Sequence, residues 1–202
     1  MRRHGLFSNP TGLMLPDWDR SIHLIDHIEP ERIETIFIGG YDFGTTHPSA
    51  LVFVAIDLDG NVYVFGEWKK SDSPFDEQAS VFKFHQKEYG FRCFYADPSA
   101  KQAILELRSR GVNIKAGMND KAVGYNLLRE LLRTGKLFIS RNCPNLVYEI
   151  ENLTVKEEKA GTTIGRDGQE GYGHFDLIAA LRYAVTSFFK QKPERELTKE
   201  DK

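Results

Sequence analysis

Cysteine is nearly absent. The chain of 202 residues holds two, Cys93 and Cys143. Two thiols cannot cross-brace a domain of this size, and no CxxC or paired Cys/His spacing offers a structural zinc site. The pair therefore reads as buried apolar side chains in a reducing compartment. Long hydrophobic runs are missing too. No stretch approaches the ~18 apolar residues that a membrane-crossing helix needs, and the opening MRRHGLFSNPTG has no apolar segment of the signal-peptide kind. Excess charge of one sign is also lacking. With 27 Lys and Arg against 29 Asp and Glu, the formal net charge is −2, which excludes binding of nucleic acid by bulk charge and leaves only a local basic patch. There is no internal repeat and no GxxxxGK[ST] phosphate loop. What is present is a globular composition, 41% hydrophobic and 28% charged, in a chain long enough for one core of its own.

Patterning divides the chain into three. Residues 1–34, with Pro10, Pro16 and Pro30, form an irregular lead-in or linker carrying one short strand at Ile22–Ile25. Residues 35–190 are regular. Residues 191–202, QKPERELTKEDK, are a charged tail with nothing to bury, expected to be disordered. In the regular part, Ile36–Phe43, Ala50–Ile56 and Val62–Trp68 read as strands, the last two joined by a hairpin turn at Asp59-Gly60. Ser73 reads as an N-cap with Pro74 at the first helical position, and the helix runs to Tyr89, where Gly90 ends it. A strand over Phe91–Ala96 stops at Asp97-Pro98. Ser99 caps a helix to Arg110, and Val112–Lys115 is strand-like. Asn119 opens a helix with Val123, Leu127, Leu128, Leu131 and Leu132 on one face. Leu137–Ile139 follows as a strand and Asn145–Leu153 as a helix. Residues 154–173 are polar and Gly-rich. The closing helix runs from Asp176 to Phe189 with Leu177, Ile178, Leu181, Val185 and Phe188 inward. Three hairpin-linked strands, then alternating helix and strand, predict an α/β fold with a mixed β-sheet flanked by α-helices.

Three aspartates stand at element boundaries of that sheet. Asp42 ends the run TIFIGGYDFG, Asp97 ends FRCFYADPS, and Asp176 opens the last helix. Strand ends deliver side chains to one sheet edge from rigid elements, and the strands ending in Asp42 and Asp97 are expected to pair in parallel. Ala179 and Ala180 would let the helix that starts at Asp176 sit close to the sheet. Converging carboxylates suit hard divalent ions, which favour oxygen ligands. Two such ions about 4 Å apart can neutralise a phosphodiester, activate water and stabilise the leaving oxygen. Without metal, at least one of the clustered acids is expected to have a raised pKa. Singly, each aspartate fits a turn or a helix cap just as well; the joint placement carries the reading. His174 is an accessory candidate, as a metal ligand, a phosphate contact or a polar loop residue. Asp57 and Asp59 flank Gly60 and read as turn residues.

The residues resemble a known family. Y41-D42-F43-G44-T45-T46-H47-P48-S49-A50, N61-V62-Y63-V64 and A96-D97-P98-S99 are followed by G135-K136-L137, E149-I150-E151-N152-L153 and H174-F175-D176-L177-I178-A179-A180-L181-R182-Y183-A184. In order and spacing they are similar to the C-terminal nuclease domain of the large terminase subunit of tailed bacteriophages. The resemblance implies an RNase H-like fold and an endonuclease using two divalent cations, Mg²⁺ or Mn²⁺, that cleaves concatemeric double-stranded viral DNA during packaging. It carries the acidic triad onto Asp42, Asp97 and Asp176, as metal ligands and catalytic residues. Many relatives place the third acid directly before Ala-Leu-Arg-Tyr, where this chain has Ala179; others share its His-x-Asp form. Lys156, Lys159 and Arg166 lie in a stretch resembling a mobile hairpin beside the active site and are DNA-binding candidates for sequence-independent backbone contact. Arg129, Arg133 and Lys136 form a second basic group near a helix end, where they also complement the helix dipole. The portal and small terminase subunit are the implied partners, and the host cytoplasm the implied location. With no phosphate loop, the chain resembles the nuclease half alone.

Other readings share some of these features. D42-F43-G44-T45-T46 resembles the phosphate loop of sugar kinases and actin-like ATPases, but that fold needs a second phosphate loop and a longer chain. A RuvC-like junction resolvase or a transposase core would use the same acids. A non-enzymatic interaction module would have no need of them.

Overall fold

A computed structural model describes residues 12–26, 35–44, 47–154, 156–158, 161–163 and 175–190. In chain order the elements are α1 (Arg20–His23), β1 (Leu24–Ile25), β2 (Thr35–Asp42), β3 (Ser49–Asp57), β4 (Val62–Lys70), α2 (Phe75–Tyr89), β5 (Cys93–Ala96), α3 (Lys101–Ser109), β6 (Ile114–Ala116), α4 (Lys121–Arg133), β7 (Leu137–Ser140), α5 (Pro144–Asn152), β8 (Lys156–Glu158), β9 (Gly161–Thr163) and α6 (Asp176–Lys190). Seven strands form one sheet in the order β1-β7-β4-β3-β2-β5-β6. The meander β2–β3–β4 is antiparallel, and the remaining pairs are parallel. This is the expected mixed sheet flanked by helices.

Period-two burial splits the core between the two sheet faces. On one, Ile38, Ala50, Val52, Val54, Val62 and Val64 meet α4, α5 and α6. On the other, Tyr41, Leu51, Phe53 and Phe94 meet Phe82 of α2 and Ile104 and Leu107 of α3. The sequence pattern of α6 expects one apolar stripe. The observed helix is buried nearly all round, from Asp176 through Ser187, because it is sandwiched between the sheet and α4 and α5. Its approach is very close. A Cβ on Gly40 would fall 1.9 Å from the Ala180 carbonyl oxygen, so only glycine lets the helix backbone lie on β2 there.

One irregularity sets the chemistry of β4. Phe53 pairs with Gly66 but Val54 pairs with Val64, leaving Phe65 as an extra residue. Strict alternation from Val62 and Val64 would send Glu67 and Lys69 to the α2–α3 side. The bulge reverses the phase, so Glu67 and Lys69 face α5 and α6 while Trp68 packs with the α2–α3 core. Glu67 then accepts from the backbone N–H groups of Asn145 at 3.0 Å and Leu146 at 2.8 Å, capping α5 from a neighbouring strand.

Several local expectations shift. Pro74, not Ser73, is the residue before α2; Ser73 instead accepts from the Gln78 side chain through its carbonyl. Ser99 does not cap α3, which starts at Lys101; its N–H donates to Asp97 Oδ1 in a turn. Asp120, not Asn119, caps α4 through Val123 N–H. The hairpin turn at Gly60 is as expected, closed by Asp57 accepting from Asn61 N–H at 2.8 Å. Cys93 and Cys143 are free and buried.

The proline-spaced N-terminal stretch holds more structure than its pattern announces. Ile22–Ile25 is not a strand throughout, since α1 takes Ile22 and His23. Met14 and Leu15 are core residues, Met14 N–H donates to the Leu153 carbonyl at 2.7 Å, and Arg129 donates to the Met14 carbonyl at 2.7 Å. Irregular backbone of this kind is stabilised by the surface it lies on, so no periodicity marks it. Among the described residues no helix is long and apolar enough to cross a membrane.

Candidate active site

β2 and β5 run parallel with Tyr41 beside Ala96. The next residues, Asp42 and Asp97, therefore leave the sheet at adjacent strand ends, as the sequence order implied. Asp42 lies on the same face as Gly40, toward α6, and is 6% exposed. Across β2, β3 and β4 the register aligns Asp42, Ala50 and Lys69 in one row.

Asp97 is held from two directions. The Tyr183 hydroxyl donates to Oδ2 at 2.6 Å and the Ser99 N–H to Oδ1 at 2.8 Å. Burial works to raise its pKa, but the Tyr183 and Ser99 hydrogen bonds and the nearby Arg182 charge together hold it below the usual carboxylate value. Tyr183 is pushed up by its own burial and then by the acids it faces, Asp42 among them. Arg182 stacks its guanidinium 4.3 Å from the centroid of the Tyr183 ring and donates to Asn119 Oδ1 at 3.2 Å. It is 2% exposed, and its Nε and Nη1 have no hydrogen-bond partner.

Asp176 begins α6 and is 1% exposed. Lys69 Nζ lies 3.3 Å from its Oδ2 and His47 Nδ1 3.3 Å from its Oδ1. These are ion-pair distances, yet neither oxygen accepts a directed hydrogen bond. Lys69 also donates to Glu149 Oε1 at 2.8 Å, and Glu149 Oε2 accepts from the Ile178 N–H at 2.9 Å. Glu149 thereby caps the first turn of α6 from α5. Its pKa is pushed up to about 7 by burial, with Asp176 adding to the rise and Lys69 opposing it. A raised acid was expected within the aspartate set; it is resolved on this additional carboxylate, because Glu149 is sealed in the core while Asp97 is saturated with donors.

Among the described residues no three His, Cys, Asp or Glu side chains lie close enough to hold one ion together. The donor chemistry nevertheless fits a hard cation: Asp42 and Asp97 at neighbouring strand ends, and a buried Asp176 whose oxygens meet Lys69 and His47 only at ion-pair distance, with no directed hydrogen bond to give up.

His174, Lys159 and Arg166 lie outside the described residues, and of Lys156 only the backbone, in the β8–β9 hairpin, is described. The second basic group is taken up locally: Arg129 by the Met14 carbonyl, Arg133 by Glu130 and Lys136 by the Asp59 carbonyl. Sequence reasoning missed Glu149, Tyr183, His47 and Lys69 as site residues. The spacing Leu146, Glu149, Ile150, Leu153 marks Glu149 as an acid on an apolar helix face and was a usable signal. Lys69 had none, because its face depends on the bulge.

A mixed sheet built on a three-strand antiparallel meander with parallel strands added beside its first member, crossed by a helix with acids at its edge, defines an RNase H-like nuclease fold. Residues 39–188 match the family model for the terminase RNaseH-like domain, and the chain belongs to that family. It is 22% identical over 167 residues to the terminase large subunit of Escherichia phage T5, covering 81% of this chain and 37% of that protein. It is 26% identical over 132 residues to the PBSX phage terminase large subunit of Bacillus subtilis strain 168, covering 64% of this chain and 30% of that protein. The chain thus spans about a third of the length of these relatives. In structure it is similar to the large terminase nuclease from thermophilic phage G20c with bound magnesium, at 19% identity and a TM-score of 0.67, covering 87% of this chain and 97% of that one.

Proposed function

We propose that this chain is the nuclease part of a terminase large subunit, a divalent-metal-dependent endonuclease that cuts concatemeric double-stranded viral DNA during genome packaging. The observation that carries the reading is the meeting of Asp42 and Asp97 at adjacent ends of the parallel β2–β5 pair, under the helix that Asp176 begins. Two ions, Mg²⁺ or Mn²⁺, would supply charge neutralisation at the scissile phosphate, a nucleophilic water and stabilisation of the leaving oxygen. Asp42, Asp97 and Asp176 are the proposed ligands, and Tyr183 keeps Asp97 in one orientation. The magnesium in the phage G20c structure supports the choice of a divalent ion.

In this reading Lys156, Lys159 and Arg166, in the segment between α5 and α6, contact phosphates of the duplex without reading bases. His174, beside Asp176 in sequence, is an accessory group there. The portal and the small terminase subunit are the packaging partners, in the cytoplasm of the bacterial host.

Plasmid nicking by the 202-residue chain tests the activity. Supercoiled DNA should be cut with Mn²⁺ or Mg²⁺ and left intact with EDTA. Robust cleavage in EDTA would sink the metal-dependent reading, and preference for four-way junctions over linear duplex would move the assignment to a junction resolvase.

A further inference from the structure

Lys69 joins two buried acids that belong to different helices. Its side chain is 18% exposed, whereas those of Asp176 and Glu149 are 1% and 4% exposed. One ammonium thus serves two buried carboxyl groups in a place with little water, and the His47 ring lies beside Asp176 as well.

The two contacts are unequal. Lys69 Nζ to Glu149 is a 2.8 Å hydrogen bond, whereas Nζ to Asp176 is a 3.3 Å ion pair without hydrogen-bond geometry. Glu149 is also anchored, because its other oxygen caps α6 through the Ile178 N–H; turning it toward a new cation would uncap the helix. Asp176 has no such obligation, and exchanging one cation for another costs it no hydrogen bond. Lys69 itself ends a flexible four-carbon stem rooted in the row it shares with Ala50 and Asp42.

We propose that Lys69 is the exchangeable cation of this site: its ammonium bridges Asp176 and Glu149 in the metal-free protein, and Glu149 alone retains it when a divalent ion takes the Asp176 carboxylate. This rests on Asp176 being a metal ligand. Lys69 moves only between partners. Lys69 and Glu149 are positioning residues: Lys69 sets the affinity for the ion, and Glu149 acts through Lys69 by giving it somewhere to go.

Calorimetric titration of Mn²⁺ into the 202-residue chain, without DNA, tests this. Lys69→Met should tighten binding roughly tenfold, since a competing charge is gone. Glu149→Gln keeps an acceptor for the Ile178 N–H but frees Lys69 to sit on Asp176, and should weaken binding several-fold. The double variant decides the mechanism. If Glu149 works through Lys69, the double variant binds Mn²⁺ as tightly as Lys69→Met. If the double variant returns to wild-type affinity, the two charges act independently and the exchange is overturned, as it is if Lys69→Met binds more weakly. Should Lys69→Met not fold, Lys69→Arg serves: a guanidinium that grips both carboxylates should weaken Mn²⁺ binding roughly tenfold, and unchanged affinity counts against the proposal. Asp176→Asn is the separate control. Wild-type affinity in that variant overturns Asp176 as a ligand, a failure distinct from that of the exchange.

Discussion

The Tyr183 hydroxyl donates to Asp97 Oδ2 at 2.6 Å, joining the middle of α6 to the end of β5. With Ser99 N–H on Oδ1, it leaves the carboxylate one orientation relative to Asp42. Removing the donor in Tyr183→Phe should raise the Asp97 pKa, visible in an NMR titration. It should also lower cleavage roughly ten- to a hundredfold, as expected for loss of one charge-assisted hydrogen bond of about 1.5–3 kcal/mol, with a higher Mn²⁺ concentration needed for half-maximal rate. The stability that Asp97 contributes is present above its unfolded pKa and lost as pH falls through its lowered folded value. Tyr183→Phe should move that acid loss to higher pH.

Asp42→Asn and Asp97→Asn should each reduce plasmid nicking by on the order of 10³-fold while leaving the circular dichroism spectrum unchanged, since each removes a proposed ion ligand without altering shape. Wild-type rates in either variant would show that the acids at the β2 and β5 ends are not the site.

Asp176→Ala should be as inactive as the Asp42 variant, and His174→Ala milder. The acid in this helix stands at its first residue. Asp167 lies in the polar, Gly-rich residues 154–173: if Asp176→Ala retains most activity while Asp167→Ala loses it, the third ligand comes from the segment between α5 and α6.

Glu149 gives the metal-free protein a pH signature. Its folded pKa is raised to about 7, so the stability associated with its protonated form is full below the unfolded carboxylate range and is lost as pH rises toward 7. Glu149→Gln removes this titration. Thermal melts of the variant should be flatter than wild type between about pH 4.5 and 7, and a wild-type slope in the variant would mean that another group carries it.

Gly40→Ala should destabilise the fold by roughly 1–3 kcal/mol or more. The new methyl would meet the Ala180 carbonyl oxygen, and backbone cannot swing aside as a side chain can. Urea denaturation measures the loss; a wild-type midpoint would show that α6 has room to move off β2.

The legible parts were those written in local patterns. The strands of the meander, the turn at Gly60, the parallel approach of the strands bearing Asp42 and Asp97, and the helix starting at Asp176 all follow from periodicity and boundary residues. Helix starts were less legible: α2 and α3 begin after Pro74 and Ala100 with no side-chain cap, and α4 takes Asp120 rather than its neighbour Asn119.

By itself, then, the sequence determined which acids reach the sheet edge, since side-chain direction in a strand alternates with a period of two and a strand ends where its turn begins. Only the tertiary structure decided what faces them. A single extra residue at Phe65 turns Lys69 toward α6, Glu149 meets it from α5, and Tyr183 reaches Asp97 from α6. These partners are set by a one-residue phase shift and by contacts between elements distant in the chain, and neither leaves a mark on local propensity.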